Sequence, residues 1–104
     1  MSDHLADVRR YDAAADEAIV EKIIKHLGIA LRSSRDAALV AVSDPEELKR
    51  VRESWVGRKL GVTDDAVADA AIAHVAEVMK GDRNKDRVTF YYLTAKQLGL
   101  LGSL

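Results

Sequence analysis

Val88-Thr89-Phe90-Tyr91-Tyr92-Leu93 carries two incompatible readings, and the fold class follows from the choice between them. Its β-branched and aromatic residues make 88–92 the best strand in the protein by propensity. A single strand needs a partner, however, and only Leu39-Val40-Ala41-Val42 offers one. As a helix over 88–98, the segment places Phe90, Tyr91, Leu93, Thr94 and Leu98 on one face and turns Tyr92 away from it. Gly99 then stands where a helix stop belongs. An all-α array of five to six short helices is the economical outcome. The alternative is an α+β fold with a minor two-stranded pairing of 39–42 and 88–92.

Helix signals recur upstream. Residues 3–11 form a short N-terminal helix carrying Leu5, Val8 and Tyr11, with a frayed start. From Ala15 to Leu27, the apolar residues Ile19, Val20, Ile23, Ile24 and Leu27 make one stripe. Asp16, Glu17 and Glu21 lie toward the positive end of that helix, Lys22, Lys25 and His26 toward the negative end, and Gly28 is placed to stop it. Residues 29–42 are ambiguous: Ser33 or Ser34 caps a short helix through Leu39 and Val40, or 39–42 is extended. Ser43-Asp44-Pro45-Glu46-Glu47 is the strongest local signal. With Asp44 as N-cap, Pro45 takes the first helical position and Glu47 completes a capping box; with Ser43 as cap, Glu46 does. That helix runs to about Leu60, buries Leu48, Val51 and Trp55, and ends at Gly61. Thr63 caps the next, whose stripe is Val67, Ala71, Val75 and Val78, widened by Ile72 and Met79, with Gly81 as its stop. Residues 81–86 are polar and turn-forming.

A chain of 104 residues sits near the commonest domain size, so one helical domain over 1–104 is expected. A hydrophobic share of 48% with 32% charged residues is a globular balance. The absence of cysteine removes disulfides, thiolate nucleophiles and cysteine-ligated zinc. No basic segment followed by an apolar run opens the chain, and no stretch nears the roughly 20 apolar residues that span a bilayer. A soluble cytoplasmic protein with no membrane partner is expected. Sixteen basic against seventeen acidic residues argue against an obligate nucleic-acid binder. The charges are uneven all the same. Lys49, Arg50, Arg52, Arg58 and Lys59 cluster in 49–59, and Lys80, Arg83, Lys85 and Arg87 in 80–87, which makes a candidate basic patch.

Candidate chemistry is thin. His26 and His74 lie about 90° from the apolar stripes of their helices, as rim residues do, and His4 falls in the frayed N-terminus. His74-x-x-Glu77 shares a helix face but lacks further metal ligands nearby. The pairs Asp64-Asp65 and Glu46-Glu47 are explained by the first turns of helices, and Ser33-Ser34 reads as a cap rather than a nucleophile. Phe90 and Tyr91 read as core. Tyr92, flanked by Arg87 and Lys96, is the one aromatic turned outward and hence the candidate interaction surface.

Three stretches carry a resemblance: His-Leu-Gly-Ile-Ala-Leu at 26–31, Ser-Asp-Pro-Glu-Glu-Leu at 43–48 and Arg-Val-Thr-Phe-Tyr-Tyr-Leu at 87–93. In this order and spacing the chain resembles a family of small uncharacterised bacterial proteins, domain of unknown function 2853. The resemblance covers nearly the whole chain and implies a compact all-helical array in a bacterial cytoplasm. No catalytic or binding residue comes with it. The expected function is therefore a non-enzymatic helical module without cofactor or metal, acting through an unknown protein partner or as a homo-oligomer. The alternative is a weak nucleic-acid-associated binder using 49–59 and 80–87.

Overall fold

The strand-forming residues 88–92 are helical. The computed structural model describes residues 3–33, 39–40, 42–81 and 85–103. Among them the chain forms α1 (Asp3–Tyr11), α2 (Glu17–Ser33), α3 (Pro45–Arg50), α4 (Asp65–Val78) and α5 (Arg87–Gln97). α3 runs on without a break into a π-helix over Val51–Lys59, and a 3₁₀ turn, Leu101–Ser103, follows α5. Ser34, Arg35, Asp36, Ala41 and Arg83, which carry expectations from the sequence, lie outside the described residues.

α5 is the axle of an all-α fold. Every residue from Val88 to Ala95 is buried, and α1, α2, α4 and the π-helix all pack against it. A helix enclosed on every side needs no single apolar stripe. Burying a side chain the size of Phe or Val contributes about 1.5–3 kcal/mol. Propensity differences of at most about 1 kcal/mol per residue do not compete with that. Its two buried threonines are satisfied: the Thr94 hydroxyl donates to the Phe90 carbonyl (2.7 Å), and that of Thr89 to Asp7 of α1. Asp86 caps the start by accepting from the Thr89 N–H (3.2 Å), and Gly99, at φ 72°, follows the end.

The small extended pairing exists, with a different partner. β1 (Leu39–Val40) pairs antiparallel with β2 (Lys85–Asp86), Leu39 opposite Asp86 and Val40 opposite Lys85. This corrects both the pairing with 88–92 and the short helix through Leu39 and Val40.

Three further expectations shift. Gly28 lies inside α2, which continues to Ser33; Ala30, Leu31 and Arg32 are strong helix formers and offset the roughly 1 kcal/mol that an interior glycine costs. Asp64 rather than Thr63 caps α4, its carboxylate accepting from the N–H groups of Ala66 (2.9 Å) and Val67 (3.4 Å). The buried side of α4 is Ala68, Ala71, Ile72, Val75 and Met79, which leaves Val67 and Val78 on an exposed flank.

At the other strong signal, Asp44 is the N-cap, accepting from the Glu46 N–H at 3.0 Å. The Glu47 carboxylate goes to Arg87 and Arg50. Asp44→Ala is expected to cost about 1 kcal/mol, read as a lowered denaturant midpoint at constant slope. No loss at Asp44 with a loss at Ser43→Ala would move the cap by one residue.

The π-helix has a packing cause. Val51, Trp55, Val56 and Leu60 are all buried. On an α-helix Val51 and Leu60 would stand about 180° apart. With i→i+5 bonding and roughly 4.4 residues per turn they fall within about 20°. The Leu60 N–H donates to the Trp55 carbonyl at 2.9 Å, which is such a bond. The wider turn keeps all four side chains on one face. Gly57 fits it, since a Cβ there would come within 3.2 Å of the Arg52 carbonyl.

Candidate interaction surface

The surface expected around Tyr92, Arg87 and Lys96 is interior. Tyr92 is 2% exposed, because the end of α1 and the turn after it cover the side of α5 that a one-faced helix would show to water. Its hydroxyl donates to Asp12 (2.8 Å), and the Lys96 ammonium sits 3.1 Å from the same carboxylate oxygen. Arg87, at the other end of α5, pairs with the buried Glu47 of α3 and donates to the Tyr91 hydroxyl at 3.3 Å. Its guanidinium lies 5.8 Å from the Tyr91 ring centre. Trp55 stacks on the same ring (4.9 Å between centres) and donates its indole N–H to the Tyr91 carbonyl (3.0 Å). These groups tie α1, α3 and the π-helix to α5.

The Tyr92–Asp12 pair perturbs both groups. The hydrogen bond from Tyr92, helped by Lys96, holds the Asp12 carboxyl below its ordinary 3.8 against the opposing effect of burial. Burial first, and then the Asp12 carboxylate, push the Tyr92 phenol from its ordinary 10 up to about 12. Asp12 therefore contributes stability that is present above pH 3.8 and lost as pH falls through its lowered value. Tyr92 contributes stability that is full below pH 10 and lost as pH climbs toward about 12. Tyr92→Phe is expected to cost about 2 kcal/mol, as hydrogen bonds to charged groups do. It should also delete the tyrosinate absorbance that develops near pH 12. Loss of a component titrating near pH 10 would contradict the burial.

The basic segments do not make an open patch. Arg52 reaches Asp69 (3.3 Å) and, more loosely, Asp65 (3.9 Å); its Nε is buried without a hydrogen bond. Arg50 lies 3.5 Å from Glu47, and Lys80 is 2.8 Å from Glu77. Lys85 belongs to β2. Lys49, Arg58 and Lys59 are exposed.

His4 is not in a frayed end. Its Nδ1 lies 2.8 and 2.9 Å from the two Asp86 carboxylate oxygens, which ties α1 to the cap of α5. His26 rests against Trp55, 5.2 Å between ring centres; burial, with the nearby Lys59 cation, lowers its pKa from 6.5. His74 is exposed on α4. Among the described residues no three His, Asp or Glu side chains gather as a metal site would require.

What does face water without charge is α4. Its exposed residues are Asp65, Ala66, Val67, Asp69, Ala70, Ala73, His74, Glu77 and Val78. At about 100° per residue, Asp65 and Asp69 share the flank over Arg52. The outward side and the opposite flank are left to Ala66, Val67, Ala70, Ala73, His74 and Val78, with Glu77 as the one carboxylate, held by Lys80. Val67 (46%) and Val78 (45%) are the exposed large hydrophobic residues among those described. Clefts flank the helix. One of about 290 Å³ lies between α4, α5 and Tyr11, with His74, Val75, Val78, Leu93 and Lys96 in its walls. Another of about 440 Å³ lies toward α3, floored by Leu48, Ile72, Ala73 and Ala76 and rimmed by charge, Arg52 included.

The family profile described as Protein of unknown function (DUF2853) matches residues 3–101. The chain belongs to this family. Neither a curated protein nor a solved structure matches it. In this DUF2853 member no helix among the described residues is long and apolar enough to cross a membrane. The exposed side of α4 was missed in the sequence because its valines were assigned inward. The available signal was the placing of Asp65 and Asp69 one turn apart, which gathers the acidic charge of α4 on one flank.

Proposed function

We propose that this DUF2853 protein is a small non-enzymatic helical module that acts through protein contacts. The observation that carries the reading is the outward side of α4, where alanines and two half-exposed valines stand in place of the charges an exposed helix normally presents. It is supported by the use of the interior polar groups: Glu47 with Arg87, Asp12 with Tyr92 and Lys96, and Asp86 with His4 each join two elements of the fold. A nucleic-acid reading has less support, because Arg50, Arg52 and Lys80 already face carboxylates.

A photo-crosslinking residue placed at Ala70 in the living cell tests this. It is expected to trap one discrete protein species that the same probe at the exposed Glu53 does not trap. Identical yields and products at the two positions would overturn it.

A further inference from the structure

We infer that the occupant of the α4 face is a second copy of this chain, packed antiparallel about a two-fold axis. The inference rests on the protein-contact reading and names the partner. Val67 and Val78 are 11 residues apart, so they stand about 16 Å apart along the helix and within about 20° around it. Two such helices laid antiparallel, with the axis passing near residues 72 and 73, bring Val67 of each opposite Val78 of the other. The contact is self-complementary, as a two-fold interface must be. Ala70 and Ala71 lie between the valines, small enough for the axes to approach to about 8 Å.

The surroundings fit this register at both ends. The cleft of about 290 Å³ has Val75, Val78 and Leu93 in its walls, so the Val67 side chain of the second copy enters an apolar recess beside Val78. One turn before Val67 come Asp64 and Asp65, both exposed. The rim of the receiving cleft carries Lys96, half exposed. An acidic end therefore meets a cationic rim twice over, and the two helix dipoles oppose. A two-helix contact of this length falls at the small end of stable interfaces. A dissociation constant on the order of 10 µM is expected.

Because the chain has no cysteine, the register can be read by disulfide trapping. Val67→Cys and Val78→Cys are made as separate single variants, mixed in equal amounts and exposed to a mild oxidant. The mixed disulfide between the two variants is expected to exceed either homodimer by at least about tenfold. In sedimentation, the natural chain is expected to pass from monomer to dimer with rising concentration. Val67→Glu, an exposed position checked by an unchanged circular dichroism spectrum, should weaken that step at least about tenfold. A chain that stays monomeric up to about 1 mM, homodimers as abundant as the mixed species, or a Val67→Glu dimer as tight as the natural one would each overturn the proposal. The Ala70 crosslink separates the two levels: a trapped second copy supports both, a trapped different protein removes the two-fold pairing alone, and no specific product removes both.

Discussion

Trp55→Ala is expected to cost about 3–5 kcal/mol, the range for deleting a large buried aromatic. For a chain of 104 residues that is a large part of a typical stability of 5–15 kcal/mol. Trp55 is fully buried, stacks on Tyr91 and donates to the Tyr91 carbonyl, so its removal opens the contact between the π-helix and α5 at its middle. Trp55→Phe divides the effect. It keeps an aromatic ring and loses the indole N–H, and should cost far less than the alanine change. Denaturant unfolding followed by circular dichroism reads both. A loss below about 1 kcal/mol for Trp55→Ala would show that the π-helix does not seat this ring in the core.

Glu47→Ala is expected to rank with it. The Glu47 carboxylate and the Arg87 guanidinium face each other almost out of solvent, 9% and 12% exposed. Removing one partner of such a pair typically costs about 3–5 kcal/mol, because the remaining charge loses its compensation in a poorly solvated place. The two partners can be replaced together by apolar residues of similar size. Glu47→Leu with Arg87→Met should recover most of the loss, since a buried pair breaks roughly even against good packing. A double variant as unstable as Glu47→Ala alone would mean that Arg87 matters for its place over Tyr91 rather than for its charge.

Much of this fold is legible in the sequence, and the illegible parts share a cause. Asp44, Gly61 and Gly99 act through their own backbone neighbours: the first caps α3, and the glycines take φ 75° and 72° beyond the ends of helices. Such signals need only local sequence. The stripe of Val20, Ile23 and Leu27 on α2 is legible because that helix is covered on one side. Tyr92 was placed outward by the same one-sided assumption, which fails on a helix buried all round. Its partner Asp12 lies 80 positions away, where no local pattern points to it. His4 with Asp86, 82 positions apart, escaped for the same reason. The π-helix left a trace in the spacing of Val51, Trp55, Val56 and Leu60, which suits neither an α-helix nor a strand. On α4 the stripe was placed one flank away from the buried side, so Val67 and Val78 were given to the core and the candidate surface to Tyr92.

The central claim is that α5 is enclosed by the rest of the chain and that the interior polar groups serve to hold it there. Native-state amide hydrogen exchange across the chain tests this most directly. The amides of Tyr91 to Ala95 are expected to be the slowest, opening with the same free energy as global unfolding measured by denaturant. Exchange of those amides as fast as that of α1, with an opening energy well below the global value, would contradict it.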